Sequence, residues 1–276
     1  MACKGRHTPL WLKIQKEEIQ MRNLKRALSL ALAAIMLVGM MVVSASAASY
    51  NNLTDKDEIV NKDAVSMLVS LGIIEGKPDG SYAPTENVDR AQMAKMLSVI
   101  MNKGVDNSAL YQSVNSGLTD ITSHWAKGHI NYCYTTGIIA GRGNGKFDPD
   151  AGVTGSEAAK MLLVAAGYDP AIEGLTGTDW EINTNAMASK LGIFRNFKGS
   201  VAEPLSRDNA ALLIYNALDV EMIESYTNNG YAMAYSDART ILSSMYGVYK
   251  VEGVVVGNKW AELDKTDSDS ALKDGK

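Results

Sequence analysis

The chain has 276 residues, 46% of them hydrophobic and 21% charged, with a formal net charge of −4. That length supports one or two globular domains with sizeable cores, and plentiful Gly beside few aromatics suits small helices joined by tight turns. Seven Lys/Arg and two Glu precede Ala48, so the remainder holds 20 basic and 29 acidic residues, a net of −9; a surface that acidic excludes a general nucleic-acid binder, which needs a basic face for phosphates.

Residues 21–47 read as a secretory signal peptide. Arg22, Lys25 and Arg26 form the basic start, residues 27–43 the apolar run, and Ala45-Ser46-Ala47 the small-x-small cleavage pattern. The apolar run is slightly short for a spanning helix, so export with cleavage is expected, with no membrane contact afterwards. Residues 1–20 do not fit a leader and read as translated upstream sequence. Lys16-Glu17-Glu18 can be encoded by a ribosome-binding site, placing the start at Met21; precursor peptides from residues 1–20 would overturn this. Cys3 is lost with the leader, leaving Cys133 alone, read as a small buried apolar residue.

The next 170 residues repeat. Residues 71–97 align with residues 136–162 at an offset of 65, without a gap. Gly72-Ile73-Ile74 and Gly76 match Gly137-Ile138-Ile139 and Gly141. Pro84 matches Pro149, Ala94-Lys95-Met96-Leu97 matches Ala159-Lys160-Met161-Leu162, and Leu53-Thr54-Asp55 matches Leu118-Thr119-Asp120. A worn third copy follows at an offset of 55: Gly192-Ile193 matches Gly137-Ile138, Trp180 matches Trp125, and Pro204 is set against Pro149, with a loop three residues shorter after it.

Each copy has one plan. A first helix is predicted over 61–71, 125–136 and 183–191, from apolar residues at helical spacing such as Ala64, Val65, Leu68 and Leu71. Gly72, Gly137 and Gly192 stand where a left-handed C-cap favours glycine. A second helix is predicted over 90–101, 155–166 and 207–218. Asp89 with Gln92, and Thr154 with Glu157, form capping boxes; Ser206 with Asn209 is a weaker version. Met93, Met96, Leu97 and Ile100 make a core stripe, read as packing rather than a metal site. One helix–turn–helix unit cannot bury its apolar faces alone, so the copies at 50–104, 115–169 and 175–219 are expected to fold together.

These residues resemble the S-layer homology family. The resemblance rests on His124-Trp125-Ala126, Gly137-Ile138-Ile139-Ala140-Gly141, Gly145-Lys146-Phe147-Asp148-Pro149, and the run Val88-Asp89-Arg90-Ala91-Gln92-Met93-Ala94-Lys95-Met96-Leu97. It implies a mainly α fold, with three helix–loop–helix repeats in a pseudo-threefold bundle, in an exported S-layer or other surface protein of a Gram-positive bacterium. It also implies non-covalent binding of secondary cell-wall polysaccharide, often pyruvylated, in grooves between repeats, and self-assembly into a surface lattice.

Arg90 and Arg207 fall at the first position of capped helices, where free N–H groups and a partial positive charge favour anions, and a guanidinium fork suits a carboxylate. Trp125 and Trp180 offer apolar faces to sugar rings. Three departures are evident: Gly155 replaces the arginine in the second copy, Val60 replaces the tryptophan in the first, and the third lacks the Asp-Gly turn. At best two competent grooves are expected, acting together through avidity.

Nothing else points to chemistry. His124 and His129, with Asp120 nearby, are too few for zinc, and Gly141-Arg142-Gly143-Asn144-Gly145 lacks the context of a nucleotide loop. Asp148 and Asp150 do not make a calcium loop. No nucleophile–base set or paired carboxylates support catalysis, so neither an enzyme nor a cofactor is expected. Residues 220–247 read as a linker and a helix over 237–246. Residues 248–276 read as the start of a β-rich domain, because the Val-rich run to Val256 cannot be stable as a lone strand. The chain is therefore expected to be the front part of a longer surface protein, with an anchored enzyme or a protein-contact module as the alternatives.

Overall fold

A computed structural model describes residues 49–250. The expected extension 1–20, the leader 21–47 and all but the first three residues of the expected β segment 248–276 lie outside them. Among the described residues are seven α-helices and one small sheet: α1 (Lys62–Ser70), α2 (Arg90–Met101), α3 (Lys127–Thr135), α4 (Gly155–Ala165), α5 (Trp180–Lys190), α6 (Arg207–Ala217), β1 (Ile223–Tyr226), β2 (Ala232–Ala234) and α7 (Ile241–Tyr246). The fold is mainly α, as expected.

The helix boundaries follow from their caps. The Asp89 carboxylate accepts the Gln92 N–H at 2.6 Å while the Gln92 amide oxygen accepts the Asp89 N–H at 3.3 Å. Thr154 and Glu157 repeat this exchange at 3.2 Å in both directions. Ser206 accepts the Asn209 N–H at 3.2 Å without a reciprocal bond. Gly72, Gly137 and Gly192 have φ of 70°, 77° and 79°, a region a side chain rarely enters, and end α1, α3 and α5. In each case the next N–H, from Ile73, Ile138 or Ile193, turns back to a carbonyl five residues earlier, closing a Schellman motif.

The packing is cyclic rather than pairwise within a unit. α3 packs on α2, α5 on α4, and α1 on α6, so each unit's first helix lies against the second helix of the unit before it. The loops entering α2, α4 and α6 meet at the centre. There the Val88 N–H donates to the Leu205 carbonyl at 2.8 Å, Leu205 to Val153 at 2.9 Å, and Val153 back to Val88 at 3.0 Å. This closed triangle of backbone bonds gives the three helix pairs pseudo-threefold order. Leu97, Ile100, Leu162, Leu163, Leu213 and Ile214 fill one continuous core with Tyr82 and Phe147. Each such side chain, fully buried, contributes about 1.5–3 kcal/mol, and a single pair could bury only a few of them.

The recurring Leu-Thr-Asp has a structural reason. The Asp55 carboxylate accepts the N–H groups of Tyr82 and Ala83, both at 2.7 Å. Asp120 accepts those of Phe147 at 3.0 Å and Asp148 at 2.8 Å. Ala83 and Asp148 both sit at φ 56°, a strained value for a residue with a side chain, and the aspartate holds the turn there.

Two expectations need correction. Pro204 does not correspond to Pro149. It pairs with Thr154 as Gly152 pairs with Asp89 and Asn87 with Ser206, so Pro204 takes the place of Asn87 and Gly152. The Val201 carbonyl accepts the Ser156 N–H, the role that Pro84 and Pro149 play for Asp208 and Ala91. The shortening therefore lies before Pro204. Residues 220–247 are also not a linker and one helix: β1 and β2 form an antiparallel hairpin, and α7 begins only at Ile241. The turn signal Asn228-Asn229-Gly230 was present, but flanking strands of four and three residues are too short to show alternation. The hairpin is fixed to the bundle by the Ile223 N–H on the Ala166 carbonyl at 2.9 Å, and α7 by Leu242 on Leu218 at 2.9 Å.

Candidate functional site

The cyclic packing creates grooves between units, two of them built from all three. The Arg207 groove, of about 270 Å³, takes Arg207 from α6, Tyr82 and the 73–78 loop from the first unit, Lys95 from α2, and Trp125 from just before α3. The Arg90 groove, of about 510 Å³, takes Arg90 from α2, the 138–142 loop, Glu157 and Lys160 from α4, and Trp180 from the start of α5. Position by position these are the same site: Lys95 and Lys160, Met96 and Met161, Lys77 and Arg142, Trp125 and Trp180 correspond. The structure thus pairs Arg207 with Trp125 and Arg90 with Trp180.

The arginines are not surface forks. Arg90 is 3% exposed. Its Nε donates to the Phe147 carbonyl at 2.9 Å, Nη2 to the Ala140 carbonyl at 3.0 Å, and Nη1 to Glu157 at 3.3 Å, while the guanidinium lies 4.4 Å from the Phe147 ring centre. Arg207 repeats this with the Tyr82 carbonyl at 2.7 Å, the Glu75 carbonyl at 3.3 Å and the Tyr82 ring at 4.8 Å. Burial lowers the Arg90 pKa, and Glu157 acts against that. Each arginine ties its own helix to the next unit's loop, giving its Nε and one Nη2 hydrogen to carbonyls of that loop.

The helix N-termini are not open to anions, contrary to expectation. The Arg90 N–H donates to Ala151 at 2.9 Å and the Arg207 N–H to Glu86 at 2.7 Å; Ala91 donates to Pro149 and Asp208 to Pro84. The third N–H is taken by the cap. Lys95 and Lys160, visible in the repeat as Ala94-Lys95-Met96-Leu97 and Ala159-Lys160-Met161-Leu162, line the two grooves at matching positions.

Trp125 is 55% exposed and Trp180 half-buried. The Lys160 ammonium lies 5.2 Å from the Trp180 ring centre, and burial lowers its pKa. Lys95 lies 3.6 Å from the Glu75 carboxylate. Glu157 is held by Arg142 at 2.7 Å as well as by Arg90. An aromatic face beside an ammonium, at the rim of a shallow groove, suits a sugar ring carrying a negative charge.

The third groove, of about 530 Å³, is different: Glu58, Val60, Asn61, Asn196, Lys198 and Asn209 line it. By the cyclic order the position of Gly155 corresponds to Arg90 and Arg207, but Gly155 is buried and does not line this groove. A Cβ on Gly155 would meet the Val201 Cα at 2.8 Å, because the shortened loop lies directly over the start of α4. Val60 is 83% exposed where the other grooves present tryptophan. Among the described residues no group of His, Cys, Asp and Glu could hold a metal, and no helix is long and apolar enough to cross a membrane.

Residues 52–94 and 117–159 match the S-layer homology domain. The chain is 29% identical over 206 residues to a cell surface protein of Thermoanaerobacter kivui, covering 74% of this chain and 26% of that protein. It is 28% identical over 199 residues to the middle cell wall protein of Brevibacillus brevis, covering 71% and 18%. It is 31% identical over 120 residues to an S-layer protein of Bacillus licheniformis, covering 44% and 13%. The chain therefore spans about a quarter or less of the length of these relatives.

Proposed function

We propose that the chain anchors an exported surface protein to the cell wall by holding an anionic wall polysaccharide in the Arg207 and Arg90 grooves. The third helix pair is read as a worn third repeat that closes the ring without a competent groove of its own. One observation carries the reading: tryptophan, lysine and a loop fixed by arginine recur in the same arrangement in two grooves of different units. In this reading Trp125 and Trp180 stack on sugar rings, and Lys95 and Lys160 face the ligand's negative charge. Arg90 and Arg207 shape the grooves and present their remaining N–H groups. Two weak grooves on one chain bind a polymer far more tightly than either alone. The role is anchoring, with no chemistry performed on the glycan, and the surface-layer names among the relatives support assembly into a lattice.

Co-sedimentation with purified wall sacculi tests this. The chain should pellet with intact sacculi and stay soluble with sacculi stripped of secondary polysaccharide. Trp125→Ala with Trp180→Ala should remain folded, since neither side chain is in the core, and should lose at least about tenfold in binding. A folded wild-type chain that stays in the supernatant with intact sacculi would rule the anchoring role out.

A further inference from the structure

We infer that the two grooves are not equivalent: Glu75 occupies the anion position of the Arg207 groove from within, so the Arg90 groove is the principal site for a negatively charged sugar. The inference rests on the grooves being glycan sites, and it names the residue that sets their selectivity.

Glu75 and Ala140 hold the same place in the two loops, between the paired isoleucines and the following glycine. Both backbones are fixed alike, since the Glu75 carbonyl accepts Arg207 Nη2 and the Ala140 carbonyl accepts Arg90 Nη2. Only the side chains differ. The Glu75 carboxylate reaches Lys95 at 3.6 Å, and Lys77 on the same loop is engaged by Glu86 at 2.5 Å. Both lysines that line the Arg207 groove therefore already face a carboxylate.

In the Arg90 groove Ala140 has no carboxylate to offer. Glu157 is 17% exposed and is claimed by Arg90, Arg142 and the Thr154 N–H. Lys160 forms no ion pair among the described residues and rests on the Trp180 ring. A ligand carboxylate would pair with Lys160 at once, whereas at Lys95 it must first displace Glu75. The glutamate is exposed, so it yields to a ligand, and the effect is one of relative affinity rather than exclusion.

The indole N–H resonances of Trp125 and Trp180 report the two grooves separately. The chain would be titrated with a methyl hexoside bearing a pyruvate ketal, and with the same hexoside uncharged. With the charged sugar the Trp180 resonance should reach half-shift at a concentration about threefold to fivefold lower than Trp125. Glu75→Ala should lower the Trp125 midpoint to match, leaving Trp180 unchanged. Ala140→Glu should raise the Trp180 midpoint by the same factor. With the uncharged sugar the two midpoints should be alike in every variant. Equal midpoints for the charged sugar in the wild type, or no response to Glu75→Ala, overturns the inference while leaving the grooves as glycan sites. If neither indole responds to either sugar, the groove reading itself fails, and this inference with it.

Discussion

Arg207 Nε donates to the Tyr82 carbonyl at 2.7 Å across 125 residues of sequence, and the guanidinium covers the Tyr82 ring whose hydroxyl donates back to the Arg207 carbonyl at 2.8 Å. This reciprocal clasp joins the last helix pair to the first and closes the ring. Arg207→Ala should lower stability by about 1.5–3 kcal/mol, the range for hydrogen bonds to a charged group. Arg207→Lys should recover only part, because one ammonium cannot reproduce the fork. Urea unfolding midpoints decide it, and equal midpoints for wild type and Arg207→Ala would show that the ring closes without the clasp.

Gly155 is small for steric reasons. Gly155→Ala should cost about 1–3 kcal/mol, because its Cβ would lie 2.8 Å from the Val201 Cα and a backbone cannot swing aside as a side chain can. Restoring the arginine should fail for the same reason, so Gly155→Arg should not raise binding to sacculi. Unchanged thermal stability in Gly155→Ala would mean that the loop over α4 yields freely.

Asp120 holds the Phe147 and Asp148 N–H groups, with Asp148 at φ 56°. Asp120→Ala should destabilise by about 1–3 kcal/mol per lost acceptor set, and Asp120→Asn by less, since one oxygen remains. Because Phe147 in turn receives Arg90, the loss should also loosen the Arg90 groove. Faster hydrogen exchange at Phe147 in Asp120→Ala is the expected sign; an unaltered rate would separate the aspartate from the loop.

His129 connects α3 to α2. Its Nδ1 lies 2.6 Å from Ser98 Oγ and its Nε2 3.6 Å from Asp106, with both His129 and Ser98 buried. Burial lowers the ring's pKa below its ordinary 6.5; Asp106 opposes this and Lys95 assists it. The folded chain therefore holds fewer protons than the unfolded one below about pH 6.5, and stability should fall as pH drops through that window. The slope is bounded by about 1.4 kcal/mol per pH unit for one group. Denaturant midpoints from pH 7 to pH 5 should fall in the wild type and flatten in His129→Gln. Parallel curves would remove His129 as the cause.

The repeat itself determined most of the fold. Capping pairs at Asp89, Thr154 and Ser206, glycines after α1, α3 and α5, and apolar residues at helical spacing place six helices, because these signals act within a few residues of chain. The hairpin after α6 was hidden, since its strands are too short for a periodic pattern. The lysines of the grooves were visible as repeated positions, and their role was not, because a lysine after alanine looks the same on any solvated face.

Which residues share a groove was decided only by the tertiary structure. In sequence, Gly155, Val60 and the shortened loop of the third copy look like one defect in each of three repeats. In the fold, the Arg207 and Arg90 grooves each take their arginine from one unit, their loop and lysine from the next, and their tryptophan from the one after, and the same order brings the positions of Gly155, Val60 and the shortened loop to one side of the ring. The three defects therefore fall together, leaving two grooves with both residue types and one with neither. The cause is the cyclic packing of α1 on α6, α3 on α2 and α5 on α4: each helix pair is too small to bury its own apolar face and must use its neighbour's, so the sites lie between units rather than within one.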